Sequence, residues 1–259
     1  MSGRPAPGQH ASAGWAFFLD VDGTLLDFAS DPRAVKVDAA LTALLARLLD
    51  VSAGAVALIS GRTLRDLDAL FSPLVLPAAG QHGAERRPAD RLRPRPSARR
   101  DDLRPAIRDL GDFAAMQPGV LVEDKGMTVA VHFRQRPEIR AAVLRETARV
   151  AARLGPAWRL QEGSLTSEIT PAGRDKGVAI AEFMSEPPFA GRVAVFVGDD
   201  LSDEHGFAMV NELGGLSLKV GGGDTAARWR LRDVSAVRAW LAACAERLSR
   251  EWANEHHEH

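Results

Sequence analysis

The sequence lacks several features that would place it in a specialised class of protein. It has one cysteine, Cys244, which excludes a disulfide framework and a metal cage of thiolates; its apolar helical surroundings predict a core position. No apolar run is long enough to span a bilayer, and residues 1–14 lack the apolar core of a secretion signal. Charge of one sign is not in excess, because the formal net charge is -1. We therefore expect a cytoplasmic protein without a nucleic-acid or membrane partner.

The sequence is rich in apolar residues, which can form a packed core. Apolar residues make up 46% of the 259 residues, enough for one large or two smaller domains. No long apolar stripe is left over for a partner, so we expect a monomer.

The chain is organised around residues 15–25. The apolar run from Trp15 to Leu19 predicts an interior strand of a parallel sheet, because it does not alternate with polar residues. Asp20 and Asp22 follow it, and a turn at Gly23 can bring the second carboxylate back beside the first. Because chemistry in open α/β sheets gathers beyond the carboxyl ends of strands, this pair is the leading candidate for an active site.

Strand and helix patterns alternate on both sides of a central interruption. The predicted segments are helix 37–49, strand 55–59, helix 63–71, the apolar stretch 74–76 in the place of a further strand, helix 176–184, strand 193–197, helix 203–211, strand 216–220 and helix 234–248. This alternation predicts an α/β fold, a doubly wound parallel-sheet (Rossmann-like) core.

The interruption predicts an inserted α+β cap domain. A stretch rich in Arg and Pro is followed by two hairpins, 120–133 and 158–170, with a helix over 137–154 between them. We expect a core of residues 15–85 and 172–250 and a cap of residues 86–171. Residues 1–14 are expected to form a flexible arm and residues 251–259 a polar, frayed tail.

Polar side chains at four predicted strand ends or helix starts complete a set for phosphoryl transfer. They are Asp20 with Asp22, Ser60, Lys176, and Asp199 with Asp200. Each alone has an ordinary explanation as a turn or a helix cap. Together they offer a carboxylate nucleophile, oxygen ligands for Mg²⁺, and a hydroxyl and an ammonium group to hold phosphoryl oxygens.

In that order, these motifs resemble those of the haloacid dehalogenase superfamily of phosphohydrolases: Asp-Val-Asp-Gly-Thr, Ser-Gly-Arg, the lysine of Asp-Lys-Gly, and Gly-Asp-Asp-Leu-Ser-Asp-Glu. The narrower resemblance is to trehalose-6-phosphate phosphatases, and it rests on stretches 18–26, 80–83, 122–126, 131–134 and 198–207. It runs from about 17 to 241 and so includes the cap. Phe133 and Ser202 depart from the usual tyrosine and threonine of that family.

The resemblance implies roles for the core residues. Asp20 is the expected nucleophile that forms an aspartyl phosphate, and Asp22 the general acid and then base. Ser60 and Lys176 are expected to clamp the phosphoryl group. The implied Mg²⁺ ligands are Asp20, the backbone carbonyl of Asp22, and Asp199, supported by Asp200 and Asp203.

The resemblance also implies how the substrate is recognised. Glu123 and Lys125 share one strand face, and with Glu168 they are expected to contact the glucose ring remote from the phosphate. Core residues expected to contact the phosphate or the nearer sugar are Gly61, Arg62, His82 and Gly83. The resulting hypothesis is a Mg²⁺-dependent phosphatase that releases trehalose from trehalose 6-phosphate, the last step of trehalose biosynthesis, with a possible functional link to the synthase.

Other functions stay open at this stage. A related phosphatase acting on sucrose or mannosyl-glycerate phosphate would share the core motifs, and a phosphomutase is a further enzyme option. A non-catalytic sugar-phosphate sensor, a partner of the synthase or a receiver-like signalling domain would belong to a different class. Asp20, Asp22, Lys176 and Asp199 are all present, which favours an enzyme.

Overall fold

The computed structural model describes residues 4–5, 11–27, 36–90, 100–163 and 165–257. The strands in these residues are β1 (Arg4–Pro5), β2 (Trp15–Leu19), β3 (Val56–Ile59), β4 (Ala78–Gly80), β5 (Glu85–Arg87), β6 (Leu121–Asp124), β7 (Val129–His132), β8 (Trp158–Glu162), β9 (Thr166–Pro171), β10 (Val193–Gly198), β11 (Leu216–Val220) and β12 (Trp229–Leu231). The α-helices are α1 (Ala39–Val51), α2 (Leu64–Phe71), α3 (Arg104–Ala115), α4 (Arg140–Leu154), α5 (Lys176–Met184), α6 (Glu204–Glu212) and α7 (Val234–His257).

The larger sheet is parallel apart from one edge strand. Its strand order within the described residues is β1-β12-β11-β10-β2-β3-β4-β5, and only β5 pairs antiparallel to its neighbour. The strand that precedes Asp20, β2, lies between β10 and β3 near the middle of the sheet. The predicted α/β class with a doubly wound parallel sheet is therefore confirmed.

Helices cover both faces of this sheet, so its central strands are buried on both sides. Along β2, Phe17 and Leu19 pack with α1, α2 and α7, whereas Ala16 and Phe18 pack with α5 and α6. This two-sided burial explains why the sequence of β2 is apolar throughout rather than alternating.

Phe18 gives a test of that core. Its ring lies 5.4 Å from the ring of Phe189 and 6.0 Å from that of Phe183, measured between centroids, and it is fully buried. We expect Phe18→Ala to lower the free energy of unfolding by about 3–5 kcal/mol, because it removes buried surface and leaves a cavity. Urea denaturation measures this, with Val193→Ala as a control at a half-exposed position of the same sheet, where the loss should stay below about 1 kcal/mol.

The smaller sheet is antiparallel, with the order β6-β7-β9-β8. Helices α3 and α4 cover one of its faces, where Val129, Val131 and Ile169 join the core. The register places Glu123, Ala130 and Glu168 in one row across three strands, on the face that the helices leave uncovered. The alternation of apolar and polar residues in these strands thus separates a core from a polar surface.

Several predicted boundaries differ from the structure. The stretch 74–76 is not a strand; the strand is β4, four residues later, because Ala78 and Ala79 pair in register with β3. The closing helix continues to His257 instead of ending at 248, so residues 251–257 of the predicted frayed tail are helical.

The predicted arm and linker lie partly outside the described residues. Within the predicted arm, Arg4–Pro5 pair with β12 and Ala11 is fully buried; residues 1–3, 6–10, 91–99 and 258–259 are not described. Cys244 is fully buried, as its surroundings predict. Among the helices described, none combines the length and apolar character needed to cross a membrane.

Both chain crossings between the two sheets are anchored on helix α5. On the outgoing crossing, Arg86 Nε lies 3.2 Å from Glu182 Oε2, and its guanidinium stacks 4.6 Å from the centre of the Phe183 ring. On the return crossing, Arg174 pairs with the same Glu182 carboxylate. This helix begins at Lys176, so the anchors of both crossings and a candidate catalytic side chain belong to one rigid element.

Candidate active site

The candidate residues of the core meet at one edge of the larger sheet. Asp20 follows β2, Ser60 follows β3 and Asp199 follows β10, while Lys176 is the first residue of α5. Parallel strands end at the same edge, so their following residues converge there. These four residues and Asp22 line a cleft of about 1120 Å³ between the two sheets.

A buried lysine joins two carboxylates at the base of the cleft. Lys176 Nζ donates to Asp20 Oδ1 at 2.8 Å and to Asp203 Oδ1 at 2.6 Å, and all three side chains are buried. Burial raises the pKa of Asp20 well above its usual value, although Lys176 opposes this. Burial alone would lower the pKa of Lys176, but the two carboxylates outweigh it and raise that pKa. The lysine is therefore held as a cation.

Asp203 also holds the backbone that carries Asp199. Its Oδ2 accepts from the backbone N–H groups of Asp199 and Asp200, each at 2.9 Å. Thr24 Oγ1 donates to Asp199 Oδ1 at 3.3 Å, and Lys219 Nζ donates to the Asp199 carbonyl. Burial, assisted by the negative charge of Asp203, raises the pKa of Asp199 to about 6.

The carboxylate cluster has the chemistry of a site for a hard divalent cation. Single ligand atoms of Asp20, Asp199 and Asp203 all lie within 4.8 Å of one another. Both oxygens of Asp203 already accept hydrogen bonds, one from Lys176 and the other from two backbone groups. Asp203 is thus placed to support the cluster, whereas Asp20 and Asp199 line the cleft.

Asp22 is held at the cleft by a two-point contact with Arg62. Arg62 Nε donates to Asp22 Oδ2 at 2.7 Å and Nη2 donates to Oδ1 at 2.6 Å. Gly23, at a φ of 84°, makes the turn that directs the chain away after Asp22. Arg62 also donates its backbone N–H to Ser60 Oγ at 3.1 Å, so one loop positions both the hydroxyl and the second acid.

The smaller sheet contributes charged side chains to the opposite wall of the cleft. Lys125 Nζ lies 3.2 Å from Glu168 Oε2 and donates to the carbonyl of Gly61 in the core at 3.1 Å. His82 Nε2 lies 3.4 Å from the same Glu168 oxygen. Burial would raise the pKa of Glu168, but the nearby Lys125 and His82 lower it below its usual range. Burial lowers the pKa of His82.

Glu123 lines the same cleft but has a different partner. His132 Nε2 lies 2.8 Å from Glu123 Oε2, and this hydrogen bond is the main reason why the pKa of Glu123 is lowered. His132 and Arg134 also line the cleft. Sequence reasoning missed His132 as a site residue, although the alternation along β7 places it on the same face as Ala130.

Gly83 is the predicted substrate-binding residue that the structure places elsewhere. It is buried against the segment before α5, where an added Cβ would come within 2.5 Å of the Asp175 carbonyl oxygen. Its φ of 95° also favours glycine. Gly83 is absent from the described lining of the cleft, so its requirement for glycine is explained by packing.

Fold and site together define the class of protein. The doubly wound sheet, with carboxylates gathered around a buried lysine at its strand ends, has the fold and motifs of the haloacid dehalogenase superfamily of phosphohydrolases. Among solved structures, the C-terminal domain of C. albicans trehalose-6-phosphate phosphatase has the same fold, with a TM-score of 0.80 at 19% identity over 93% of this chain and 98% of that chain.

Sequence comparison then gives the family. The sequence model of the trehalose-phosphatase family matches residues 18–235. The trehalose-6-phosphate phosphatase of Escherichia coli (strain K12) is 43% identical over 94% of this chain and 91% of its own length. A probable trehalose-phosphate phosphatase of Sinorhizobium fredii is 44% identical over 89% of this chain and 88% of its own length. The chain belongs to the trehalose-phosphatase family, whose members are phosphoric monoester hydrolases, and the expected resemblance is confirmed.

Proposed function

We propose that the protein hydrolyses trehalose 6-phosphate to trehalose and inorganic phosphate, as the last step of trehalose biosynthesis. The observation that carries the proposal is the buried arrangement of Lys176, Asp20 and Asp203 beside Asp199 at the strand ends. The two bacterial relatives named for this activity support the choice of substrate.

The reaction proceeds in two displacements. In the first, a carboxylate oxygen of Asp20 attacks phosphorus, the bond to the sugar oxygen breaks, and that oxygen takes a proton from Asp22. In the second, water gives a proton to Asp22 and attacks phosphorus, which breaks the bond to Asp20 and releases phosphate. Lys176 and Ser60 hold the phosphoryl oxygens through both steps. The anionic substrate competes with Asp22 for the Arg62 guanidinium and so frees that acid.

The donor set fits Mg²⁺, which prefers carboxylate and carbonyl oxygens. The residues that would hold it are Asp20, Asp199 and the backbone carbonyl of Asp22, with Asp200 and Asp203 in support. When bound, the ion would offset the charge of the carboxylates and of the phosphoryl group. Lys176 and Asp203 meanwhile fix the orientation of the Asp20 side chain and of the 199–200 backbone.

The smaller sheet would supply the specificity. We assign residues 86–171 to a cap over a core of residues 15–85 and 172–250, in a protein that acts as a cytoplasmic monomer. Glu123, Lys125 and Glu168 line the cleft wall opposite the catalytic acids and would contact the glucose ring remote from the phosphate. Of the three, Glu168 is buried, and a buried charged group rejects a sugar that leaves it unpaired.

Phosphate release from a panel of sugar phosphates tests the proposal. With Mg²⁺ present, we expect kcat/KM for trehalose 6-phosphate to exceed that for sucrose phosphate, mannosyl-glycerate phosphate and glucose 6-phosphate by about 100-fold or more. Chelation of the metal should abolish release, and added Mg²⁺ should restore it. Preference for another sugar phosphate would contradict the cap assignment alone. Binding without any release would favour a sensor.

A further inference from the structure

Gln81 occupies an unusual backbone position next to the cleft. It follows β4 with a φ of 48°, and His82 after it has a φ of 55°. Residues other than glycine seldom adopt this left-handed conformation, and those that do are concentrated at functional sites. The side chain of Gln81 is buried, yet it is absent from the described lining of the cleft. A direct contact with the substrate therefore does not explain the left-handed backbone conformation of Gln81.

The side chain of Gln81 instead reaches the smaller sheet. Its Oε1 accepts from the backbone N–H of Met127 at 3.2 Å and from Thr128 Oγ1 at 3.0 Å. Both donors belong to the turn between β6 and β7, two and three residues after Lys125. Gln81 thus links the end of a core strand to the part of the cap that carries a candidate sugar-binding residue.

The Thr128 hydroxyl has a second acceptor. It also lies within hydrogen-bond distance of Glu168 Oε1, and Thr128, Glu168 and Gln81 are all buried. A hydroxyl group donates a single proton, so it can serve only one of the two oxygens at a time. Glu168 is the cleft-lining member of the three, whereas Gln81 is the acceptor behind the cleft wall.

We propose that Gln81 is a positioning residue for sugar recognition, which acts by offering Thr128 an alternative acceptor when Glu168 binds a sugar hydroxyl. This inference rests on the proposed function of the cleft. Both oxygens of Glu168 already have partners, Lys125 and Thr128 at Oε1 and Lys125 and His82 at Oε2. A sugar hydroxyl that donates to Oε1 therefore takes the place of the Thr128 proton, which turns to Gln81 and stays paired. Without Gln81, the same step would leave a buried hydroxyl group without an acceptor, which weakens substrate binding.

The test compares a disaccharide phosphate with a phosphate ester that does not reach Glu168. Gln81→Met keeps the length of the side chain and removes the acceptor. We expect kcat/KM for trehalose 6-phosphate to fall about 10-fold, and that for p-nitrophenyl phosphate to change less than 2-fold. Thr128→Val should have a similar effect, and the double variant should lose little more than the worse single variant, because both act through one contact.

Thr147→Val is the matched control. Thr147 Oγ1 lies 2.7 Å from Ser167 Oγ, a buried contact next to Glu168 but on the helix-covered face of the same sheet. This variant should leave the ratio of the two kcat/KM values unchanged, and melting temperatures show that each variant is folded. Equal losses on both substrates in Gln81→Met, or the same altered ratio in Thr147→Val, would overturn the inference. A wild-type protein inactive on trehalose 6-phosphate would overturn the proposed function, and the inference with it.

Discussion

Asp20→Asn is expected to reduce phosphate release from trehalose 6-phosphate by at least about 10⁴-fold, the scale on which loss of a catalytic nucleophile acts. An amide does not replace a carboxylate as the attacking group in this displacement. The fold should persist, because Lys176 keeps its contact with Asp203 and one carboxylate is removed from a crowded, buried group. Phosphate release under saturating substrate and urea denaturation measure the two effects.

Asp109→Asn is the control for this loss. Asp109 is a carboxylate on α3 whose Oδ2 accepts from Arg153 Nη1 at 2.6 Å, away from the cleft. Its replacement should change turnover less than 2-fold. If Asp20→Asn retained more than about one per cent of the activity, the assignment of the nucleophile would be wrong, whatever the stability of the variant.

Lys176→Met should have a large effect on stability as well as on turnover. The buried ammonium group pairs with Asp20 and Asp203, and breaking such a pair by removal of one partner costs about 3–5 kcal/mol of unfolding free energy. Turnover should fall about 10³-fold or more, because the group that holds the phosphoryl oxygens is lost together with the orientation of the nucleophile.

The stability loss should depend on pH in a defined direction. Without the cation, the pKa of Asp20 rises further above that of the unfolded chain, so the folded state binds more protons. The deficit should therefore be largest near pH 8 and shrink as the pH falls towards 4. Arg149→Met, which breaks an exposed pair with Glu146, should cost less than about 1 kcal/mol at either pH. A deficit independent of pH would contradict the electrostatic explanation.

The positions of the central site residues were predictable from the sequence, because the topology of a parallel sheet alone places them close together. Asp20, Ser60 and Asp199 each follow an apolar strand, and parallel strands end at one edge whatever the details of packing. The sheet elements with the weakest sequence signals were not predictable. β4 consists of two alanines and a glycine, and β5 is charged because Arg87 is buried against the Leu76 carbonyl and Asp68.

Contacts between the two sheets were beyond sequence reasoning for a different reason. Lys125 was expected to contact a sugar, and the structure adds its bond to the Gly61 carbonyl. Gln81 lies in the stretch 80–83 that carries part of the family resemblance, but nothing in that stretch or around Thr128 indicates that the two side chains meet. The two residues interact only because the smaller sheet packs over the larger one. The spacing of residues along the chain does not predict which side chains come into contact there.

The shared carboxylate of Glu182 has a mechanical consequence. Two chain crossings that were anchored on separate elements could bend independently, and the smaller sheet would then have several ways to move. Here Arg86 and Arg174 both pair with Glu182, and Arg86 also pairs with Glu186, two residues beyond the end of the same helix, so both crossings are held by one short segment at the end of α5. A movement of the smaller sheet would therefore pull on α5, at a point six residues along the helix from the lysine that would hold the phosphate.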